Sequence, residues 1–197
     1  MSSTNRGNRI STPDYYVTQP EVIEHFLGAW KKVSTEEYPF PTDPVLDPCA
    51  GGDERHQMSY PFVLKQFGFK DVTTVDMRED SRAAIKADYL QWTAPQKYNL
   101  IITNPPFHLA LPIISKALND VADGGYIAML ARLNFFGSKA RYDWFQDFMP
   151  LYAFVHSRRV KFMNYKENDN LSTDSIEYMH AVWKKGFNPK FTQLKII

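Results

Sequence analysis

Cysteine is nearly absent from this chain of 197 residues, in which Cys49 is the only one. A single cysteine excludes an intramolecular disulfide and leaves no cysteine cluster for a zinc site. The histidines show no spacing typical of metal ligands, so we assign them no role and predict that no metal is bound. They are His25, His56, His108, His156 and His180.

Long apolar runs are also lacking. No run reaches the length of a membrane span, and the first residues, MSSTNRGNRISTPD, lack the apolar stretch of a signal peptide. We therefore expect a cytoplasmic protein with no membrane partner. The polar residues 1–12 are expected to form a loose tail.

Excess charge is missing as well, because 23 basic and 22 acidic residues give a net charge of only +1. The distribution is uneven, however. Residues 1–130 hold 12 basic and 16 acidic side chains, whereas residues 131–197 hold 11 basic and 6 acidic ones. This asymmetry points to an anionic partner on the C-terminal side, although an ordinary solvated surface explains it equally well. The chain shows no repeat or linker, so we predict a single domain covering 1–197.

The chain alternates between strand and helix patterns. Strands are predicted over 44–47, 72–75, 100–103, 126–130, 151–155 and 177–183, and helices over 20–32, 62–67, 81–86 and 111–121. Two helices have clear apolar faces, formed by Val22, Phe26, Leu27 and Trp30 in the first and by Leu111, Ile114, Leu118 and Val121 in the last. The alternation predicts an α/β fold, with a mostly parallel sheet and helices on both faces. No helix separates the last two strands, which are expected to pair antiparallel.

The unusual residues of the chain lie at or near the ends of predicted strands, where open parallel sheets bind ligands. They are Asp47–Gly52 (DPCAGG), Asp76, Asp88 and Asn104–Phe107 (NPPF). A Gly-Gly turn lets backbone approach a ligand, and an acid 25 positions after Gly51 is near the offset at which acids meet a ribose. Each feature also has a structural explanation, as a plain turn, a loop cap or a solvated acid. No GxGxxG fingerprint is present.

The tetrapeptide Asn104–Phe107 is the most informative stretch. The side-chain oxygen of Asn104 and the carbonyl of Pro105 can both accept hydrogen bonds from one amino group. Pro105 and Pro106 hold these acceptors rigidly, and Phe107 offers a flat face for a base. Two acceptors raise the electron density of the nitrogen, which can then attack a sulfonium methyl group without a metal or a covalent intermediate. The structural alternative is a strand stopped by prolines and plugged by an aromatic ring.

On these motifs the chain resembles the S-adenosylmethionine-dependent DNA N6-adenine methyltransferases, including small phage-type members, from about residue 16 to 183. Asn104–Phe107 resembles the family's catalytic Asn-Pro-Pro-aromatic motif, and Asp47–Gly52 its Asp-Pro-x-x-Gly-x-Gly cofactor loop. Asp53 stands where the last glycine of that loop is usual. The resemblance implies a Rossmann-like methyltransferase fold with seven strands, the last antiparallel, and activity in a bacterial cell or phage-infected host.

The resemblance also implies a cofactor site. Thr18 and Pro20 would contact the methionine part of S-adenosylmethionine, Asp76 its ribose and Asp88 its adenine. The full set of expected cofactor-binding residues is Thr18, Pro20, Asp47, Pro48, Ala50, Gly51, Asp76, Met77, Asp88, Tyr89 and Asn104.

A target base in duplex DNA would have to be flipped into the pocket beside Phe107. Phosphate contacts are expected from basic residues of the C-terminal region, namely Lys139, Arg141, Arg158, Arg159, Lys161 and Lys166. Trp144 and Phe145 could stack on bases, but a helix packed on the sheet explains them better. No stretch is long enough for a separate target-recognition domain. We therefore expect a short recognition sequence, low specificity or help from a protein partner.

Several rival functions remain open. The same tetrapeptide serves RNA adenine and protein glutamine methyltransferases, and cytosine-N4 enzymes use a related loop. A non-catalytic methyltransferase-fold binding module is supported only by the altered cofactor loop. A nicotinamide oxidoreductase lacks the glycine fingerprint and leaves the two prolines unexplained. The positive C-terminal region favours nucleic acid, and DNA is favoured at the level of the family.

Overall fold

The computed structural model describes residues 16–33, 38–39, 42–164, 171–173 and 175–197. The predicted tail, 1–12, lies outside them. The helices are α1 (Pro20–Val33), α2 (Ser59–Gln66), α3 (Ala110–Asp120) and α4 (Tyr142–Asp147). The strands are β1 (Tyr16–Thr18), β2 (Val45–Asp47), β3 (Val72–Asp76), β4 (Ile85–Lys86), β5 (Tyr98–Thr103), β6 (Val121–Arg132), β7 (Tyr152–Val155), β8 (Lys161–Asn164), β9 (Leu171–Thr173), β10 (Tyr178–Lys184) and β11 (Gln193–Ile196).

The main sheet has eight strands in the order β11-β7-β10-β6-β5-β2-β3-β4. Its pairs are parallel except at β10, which runs antiparallel to both β6 and β7. The mostly parallel α/β fold with one antiparallel strand and helices is thereby confirmed. The sheet has eight strands rather than the expected seven, because β11 follows the antiparallel strand in the chain, lies parallel to β7 and extends the sheet at its edge.

Helices cover both faces of this sheet, as predicted. Alternate residues of each strand face opposite ways, so Leu100 and Ile102 of β5 pack with α1 and α2, whereas Ile101 packs with α3 and α4. The apolar face predicted for α1 is the buried one, since its residues Phe26, Leu27 and Trp30 are fully buried. Within the described residues, no helix is long and apolar enough to cross a membrane.

The face of α3 is rotated from the predicted one. Ile113, Ile114 and Ala117 form its buried side, and the helix ends at Asp120. Val121, which we expected on that face, instead begins β6. Its backbone is extended, with φ −77° and ψ 143°, because it already pairs with Tyr98 of β5.

The predicted helix over 81–86 was wrong. The segment is a turn followed by β4, which pairs in parallel with the end of β3. Side chains hold the turn: the Ala84 N–H donates to Thr74 Oγ1 at 2.9 Å, and the Lys86 ammonium donates to the Ser81 carbonyl. Such local side-chain bonds compete with the helical pattern and keep the backbone out of it.

A second, three-stranded sheet was not predicted. It has the order β1-β8-β9 with antiparallel pairs, and it places Thr18 opposite Phe162. Phe162 packs with Val160 and with Leu130 and Tyr178 of the main sheet. The small sheet therefore shares a core with β6 and β10 and stands beside the carboxyl ends of the parallel strands.

Candidate functional site

A cavity of about 460 Å³ lies at the carboxyl ends of β2 to β6. Each loop that leaves these strands contributes to its wall, as the strand-end rule for open sheets requires. The structure brings most of the predicted site residues together here, namely Thr18, Pro48, Ala50, Gly51, Asp76, Met77, Asp88, Tyr89 and Asn104–Phe107.

The loop after β2 is held in a tight turn by two glycines with positive φ, 65° at Gly51 and 73° at Gly52. A Cβ atom at Gly52 would come within 2.9 Å of Met58 Cγ. Only glycine fits this conformation and this space, so the loop can bring its backbone to the cavity wall.

Asp76 anchors that loop. Its carboxylate accepts the Gly51 N–H at 2.8 Å and the Arg78 N–H at 2.9 Å. The Arg78 guanidinium in turn donates to the Gly52 carbonyl at 2.9 Å. The first and second strand-end loops are thus tied to each other around the cavity.

Asp53, the departure from the family loop, has a structural role. Its buried carboxylate accepts the N–H groups of Arg55 and His56, at 2.8 and 2.9 Å, and contacts His56 Nδ1 at 2.9 Å. Burial disfavours the charge, but the hydrogen bonds from His56 and Arg55 outweigh it and lower the pKa of Asp53. The acid therefore closes the turn that follows the two glycines.

Two predicted cofactor residues lie outside the cavity wall. Pro20 begins α1, and Asp47 is fully buried at the end of β2. Asp47 Oδ1 accepts the Cys49 N–H at 3.3 Å, and Oδ2 has no partner among the described residues. Burial raises the pKa of Asp47 to about 7, against the lowering effects of Thr103 and the Cys49 N–H. Asp47 thus stabilises the loop after β2 through its hydrogen bond with the Cys49 N–H and does not line the cavity.

The far side of the cavity is formed by the residues after β3 and β4. Met77 is 56% exposed, and Tyr89 is buried with its hydroxyl donating to Asp120 at 2.8 Å. Asp88 is exposed, and one carboxylate oxygen accepts the Leu90 N–H at 3.0 Å. Its other oxygen accepts no hydrogen bond from the described part of the chain, so this acid can accept hydrogen bonds from a ligand.

The tetrapeptide turns away from β5 at Asn104. The Asn104 amide nitrogen donates to Thr18 Oγ1 at 3.0 Å, which orients the side chain. Its Oδ1 is shielded from water and has no hydrogen-bond partner in the described part of the chain. Pro106 then leads into a 3-10 turn, Phe107–Leu109, closed by the Leu109 N–H on the Pro106 carbonyl. The Asn104 side chain is thus oriented by Thr18, and its Oδ1 is a buried acceptor to which a ligand can donate a hydrogen bond.

Sequence reasoning missed Arg132, the last residue of β6, which also lines the cavity. Its guanidinium carbon lies 4.7 Å from the centre of the Phe107 ring. Phe107 also contacts Tyr178 of β10, with ring centroids 5.5 Å apart. The only signal in the sequence was a basic residue shortly after a predicted strand.

Also missed were Tyr16, Val17 and Tyr60, which line the cavity. Tyr60 starts a buried chain of hydrogen bonds: its hydroxyl pairs with His180 Nε2 at 2.9 Å, and His180 Nδ1 pairs with His156 Nε2 at 2.9 Å. Burial lowers the pKa of His180 and lowers that of His156 to about 4, with His25 adding to the second effect. Both histidines are therefore neutral near pH 7.

Five of the predicted phosphate-binding residues are described, and they follow the carboxyl ends of β6 and β7, in a 3-10 turn, a loop and the first residue of β8. Lys139 is exposed, whereas Arg141 donates to the Phe135 carbonyl at 2.7 Å. Arg158, Arg159 and Lys161 are exposed after β7 and lead into β8. Lys166 lies outside the described residues.

The aromatic segment before β7 packs as predicted for a helix on the sheet. Phe145 of α4 is buried, and Trp144 lies 6.2 Å from the Trp183 ring. Among the described residues, no three His, Cys, Asp or Glu side chains come together to hold a metal ion.

No family model matches the chain, and no curated protein matches it by sequence. Solved structures do. One is a Listeria monocytogenes protein described as a class I S-adenosylmethionine-dependent methyltransferase, with a TM-score of 0.65 and 14% identity over 96% of this chain and 68% of that one. A Pyrococcus horikoshii protein described as an RNA methyltransferase has a TM-score of 0.65 and 14% identity over 94% of both chains.

A tRNA methyltransferase of M. jannaschii is also similar, with a TM-score of 0.53 and 20% identity over 87% of this chain and 52% of that one. At such identities the likeness concerns the fold. The chain has the Rossmann-like fold of the class I S-adenosylmethionine-dependent methyltransferases.

Proposed function

We propose that this protein transfers a methyl group from S-adenosylmethionine to the N6 amino group of adenine in DNA. The observation that carries the proposal is the state of Asn104. Its amide nitrogen is held by Thr18, so Oδ1 is left as a buried acceptor without a partner in the described residues. Such an acceptor is costly unless a ligand donates to it, and an exocyclic amino group is a suitable donor.

The cavity fits the cofactor. Its volume of about 460 Å³ lies in the range of small-molecule sites. Asp76, which lines the cavity, is assigned to the ribose hydroxyls, and Asp88, Tyr89 and Met77, which also line it, are assigned to the adenine ring. Thr18 and the Gly51 turn line the same cavity. When bound, S-adenosylmethionine would supply a methyl group carried on a positively charged sulfur, and that sulfur would keep the C–S electron pair.

The protein's own residues act by binding and orientation. Asn104 Oδ1 and the Pro105 carbonyl accept hydrogen bonds from the two amino hydrogens, which directs the nitrogen lone pair away from the ring plane. Phe107 limits the tilt of the base by stacking. The proline pair keeps the two acceptors rigid. After transfer, the methylated nitrogen would lose one proton to solvent water. Such a mechanism requires no metal ligand from the protein.

Nucleic acid is favoured over a protein glutamine by the basic loops that flank the cavity. Arg158, Arg159 and Lys161 follow β7 at the same sheet edge, and β8 pairs with the strand that carries Thr18. Lys139, Arg141 and Lys166 complete the proposed phosphate-binding set. The choice of DNA over RNA as the substrate rests on the resemblance to the DNA enzymes. Two of the similar structures bear RNA-methyltransferase names.

A non-catalytic module gains little support from the loop. The acid at position 53 does not disrupt the turn, since it accepts two backbone N–H groups there. The Asn104 side chain is also oriented as catalysis would require. Both features favour a working enzyme.

The test is a transfer assay with tritiated S-adenosylmethionine. Unmethylated duplex DNA, single-stranded DNA, RNA and a protein lysate are incubated side by side with the enzyme, and labelled nucleosides are separated by chromatography. We expect label in N6-methyladenine from DNA. The Asn104→Ala variant, assayed in parallel, gives the background of each substrate.

Each other outcome assigns the activity differently. Label in RNA or in protein glutamine keeps the chemistry and refutes DNA as the substrate. Cofactor binding by calorimetry without transfer to any substrate indicates that a protein partner is needed. Absence of both binding and transfer refutes the enzyme and favours the non-catalytic module.

A further inference from the structure

Arg132 is placed between the proposed catalytic loop and the small sheet. It ends β6 at the carboxyl edge of the main sheet, directly opposite Tyr178 of β10. Tyr178 in turn packs against Phe162 of β8, with ring centroids 5.1 Å apart. The position of Arg132 is therefore fixed by strand pairing, and the residue lines the cavity beside Phe107.

The guanidinium of Arg132 has a nitrogen without a hydrogen-bond acceptor in the described part of the chain. Its Nε is buried and has no hydrogen-bond partner among the described residues. In the other arginine of the cavity wall, Arg78, two of the three guanidinium nitrogens are held by the protein: Nε donates to the carboxylate of Asp80 and Nη2 to the carbonyl of Gly52. A guanidinium whose buried donor lacks an acceptor is unfavourable in the free protein, so a ligand acceptor at this point is favoured.

The group that Arg132 contacts is the ring expected to stack on the target base. Its guanidinium carbon lies over the Phe107 ring at 4.7 Å from the centroid, which keeps its donors beside the proposed catalytic loop. A planar fork with several N–H groups matches a phosphate better than it matches a neutral amide. In a nucleic acid, every base has such a phosphate attached through its sugar.

We propose that Arg132 binds the backbone phosphate of the target nucleotide and thereby places the amino group against Asn104. This inference rests on the proposed function and adds the residue that distinguishes a nucleotide from a glutamine side chain. The contact positions the substrate without reading its sequence. It gives a role to an arginine of the cavity wall that, unlike Arg78, donates no side-chain hydrogen bond to the described residues.

The test uses Arg132→Met, which removes the charge and the donors but keeps an unbranched chain over Phe107. Lys184→Met is the matched control: Lys184 lies over the Tyr126 ring at the other end of the same strand pair, outside the cavity wall. Binding of a fluorescein-labelled oligodeoxynucleotide containing one adenine is measured by anisotropy between 50 and 200 mM salt. Cofactor affinity is measured by calorimetry.

We expect Arg132→Met to weaken oligonucleotide binding about tenfold and to reduce the slope of log Kd against log salt by about 0.7 to 0.9, the value for one phosphate contact. Lys184→Met should leave the slope unchanged. The affinity for S-adenosylmethionine should be unchanged in both variants. Arg132→Lys should keep the slope and lose part of the affinity, because it keeps the charge without the fork.

A second measurement uses only the wild-type protein and therefore does not depend on the folding of a variant. In wild-type protein, a neutral methylphosphonate next to the target adenine should reduce kcat/KM about tenfold, whereas one placed at a distant position should not. An unchanged slope in Arg132→Met, or equal effects of the two methylphosphonates, would overturn the inference while methylation by the wild type persists. Loss of cofactor affinity in Arg132→Met would assign the residue to the cofactor instead. Absence of methylation by the wild type would refute the proposed function itself.

Discussion

The two halves of the cavity differ in how their polar groups are satisfied. On the half proposed for the cofactor, formed by residues 48–52 and 76–78, Asp76 accepts the N–H groups of Gly51 and Arg78, and two of the three guanidinium nitrogens of Arg78 donate to Asp80 and Gly52. On the target half, formed by residues 104–107 and 132, Asn104 Oδ1 and Arg132 Nε are buried without hydrogen-bond partners among the described residues.

One half is therefore preorganised by hydrogen bonds within the protein, whereas the other has buried polar groups that a ligand can satisfy. The cofactor half is held in shape by bonds within the protein, so a ligand there meets groups already in place. The target half carries unsatisfied groups, each of which costs on the order of 1–3 kcal/mol until a ligand pairs with it. That cost favours binding of a substrate with a donor for Asn104 and an acceptor for Arg132. Substitutions in the two halves should therefore have separable effects on transfer and on cofactor binding.

The largest effect is expected on the target half. Asn104→Ala should lower kcat/KM for methyl transfer by ~10² or more, because it removes an oriented acceptor that acts on the attacking nitrogen. Cofactor affinity, measured by calorimetry, should persist. Asn119→Ala removes an exposed amide from α3 and serves as the control, with no expected change. Comparable transfer by the Asn104 variant would show that the unpartnered oxygen has no part in the chemistry.

The reverse effect is expected on the cofactor half. Asp76→Asn should weaken S-adenosylmethionine binding ten- to hundredfold, since an amide cannot accept both backbone N–H groups and a ribose hydroxyl as a carboxylate can. Asp80→Asn is the matched control, because its carboxylate bonds Arg78 from the exposed side of the same loop. If the two variants bound the cofactor equally well, the proposed role of Asp76 would be excluded.

Outside both halves, the cavity wall contains a group that should make the folded protein sensitive to acid. Tyr60 of the wall is hydrogen-bonded to His180, which is bonded to His156. Burial, with a contribution from His25, lowers the pKa of His156 from 6.5 to about 4 in the folded protein. The unfolded chain therefore takes up this proton first, and the stability that neutral His156 provides above pH 6.5 is lost as the pH falls toward 4.

Between pH 7 and 5 this group alone should remove about 2 kcal/mol from the free energy of unfolding. His156→Gln abolishes the titration, so the stability difference between wild type and variant should shrink by about that amount over the same interval. Urea unfolding at a series of pH values measures it. Parallel curves for the two proteins would mean that His156 ionises as freely in the folded state as in the unfolded one.

The two halves also differ in how far the sequence could predict them. The Gly51 turn, Asp76 and the Asn104 tetrapeptide follow predicted strands directly, so the strand-end rule was enough to place them together. Arg132 shortly follows the predicted strand 126–130, but its contact with Phe107 could not be predicted, because the contact depends on the register between β5 and β6, in which Thr103 lies opposite Met129. The small sheet pairs β1 with β8 across most of the chain, and no local pattern encodes that pairing.

Errors in the helices have local causes. The segment 81–86 has helix-forming residues, but Ser81 and Thr74 provide hydrogen bonds that favour a turn, and Ile85 pairs with Val75. In α3, apolar residues on both sides of Ile113 and Ile114 allowed two faces, and packing on the sheet decided between them. Tertiary contacts overrode an ambiguous pattern in both places.

The smallest effect is expected at Gly52, where the rigidity of the cofactor half can be tested without changing a polar group. Gly52→Ala forces a side chain into a residue with φ 73° and places its Cβ 2.9 Å from Met58 Cγ and 3.0 Å from Arg82 Cβ. We expect a loss of about 1–2 kcal/mol in the free energy of unfolding, together with weaker cofactor binding. Gly28→Ala provides the opposite control: it lies within α1 with no atom near its Cβ, and should stabilise the protein by about 0.5–1 kcal/mol. Because the Gly52 carbonyl accepts from Arg78, a strained loop should also loosen the Asp76 network. A Gly52 variant of full stability and full cofactor affinity would mean that the loop adapts to its ligand, and the contrast between the two halves would then lose its physical basis.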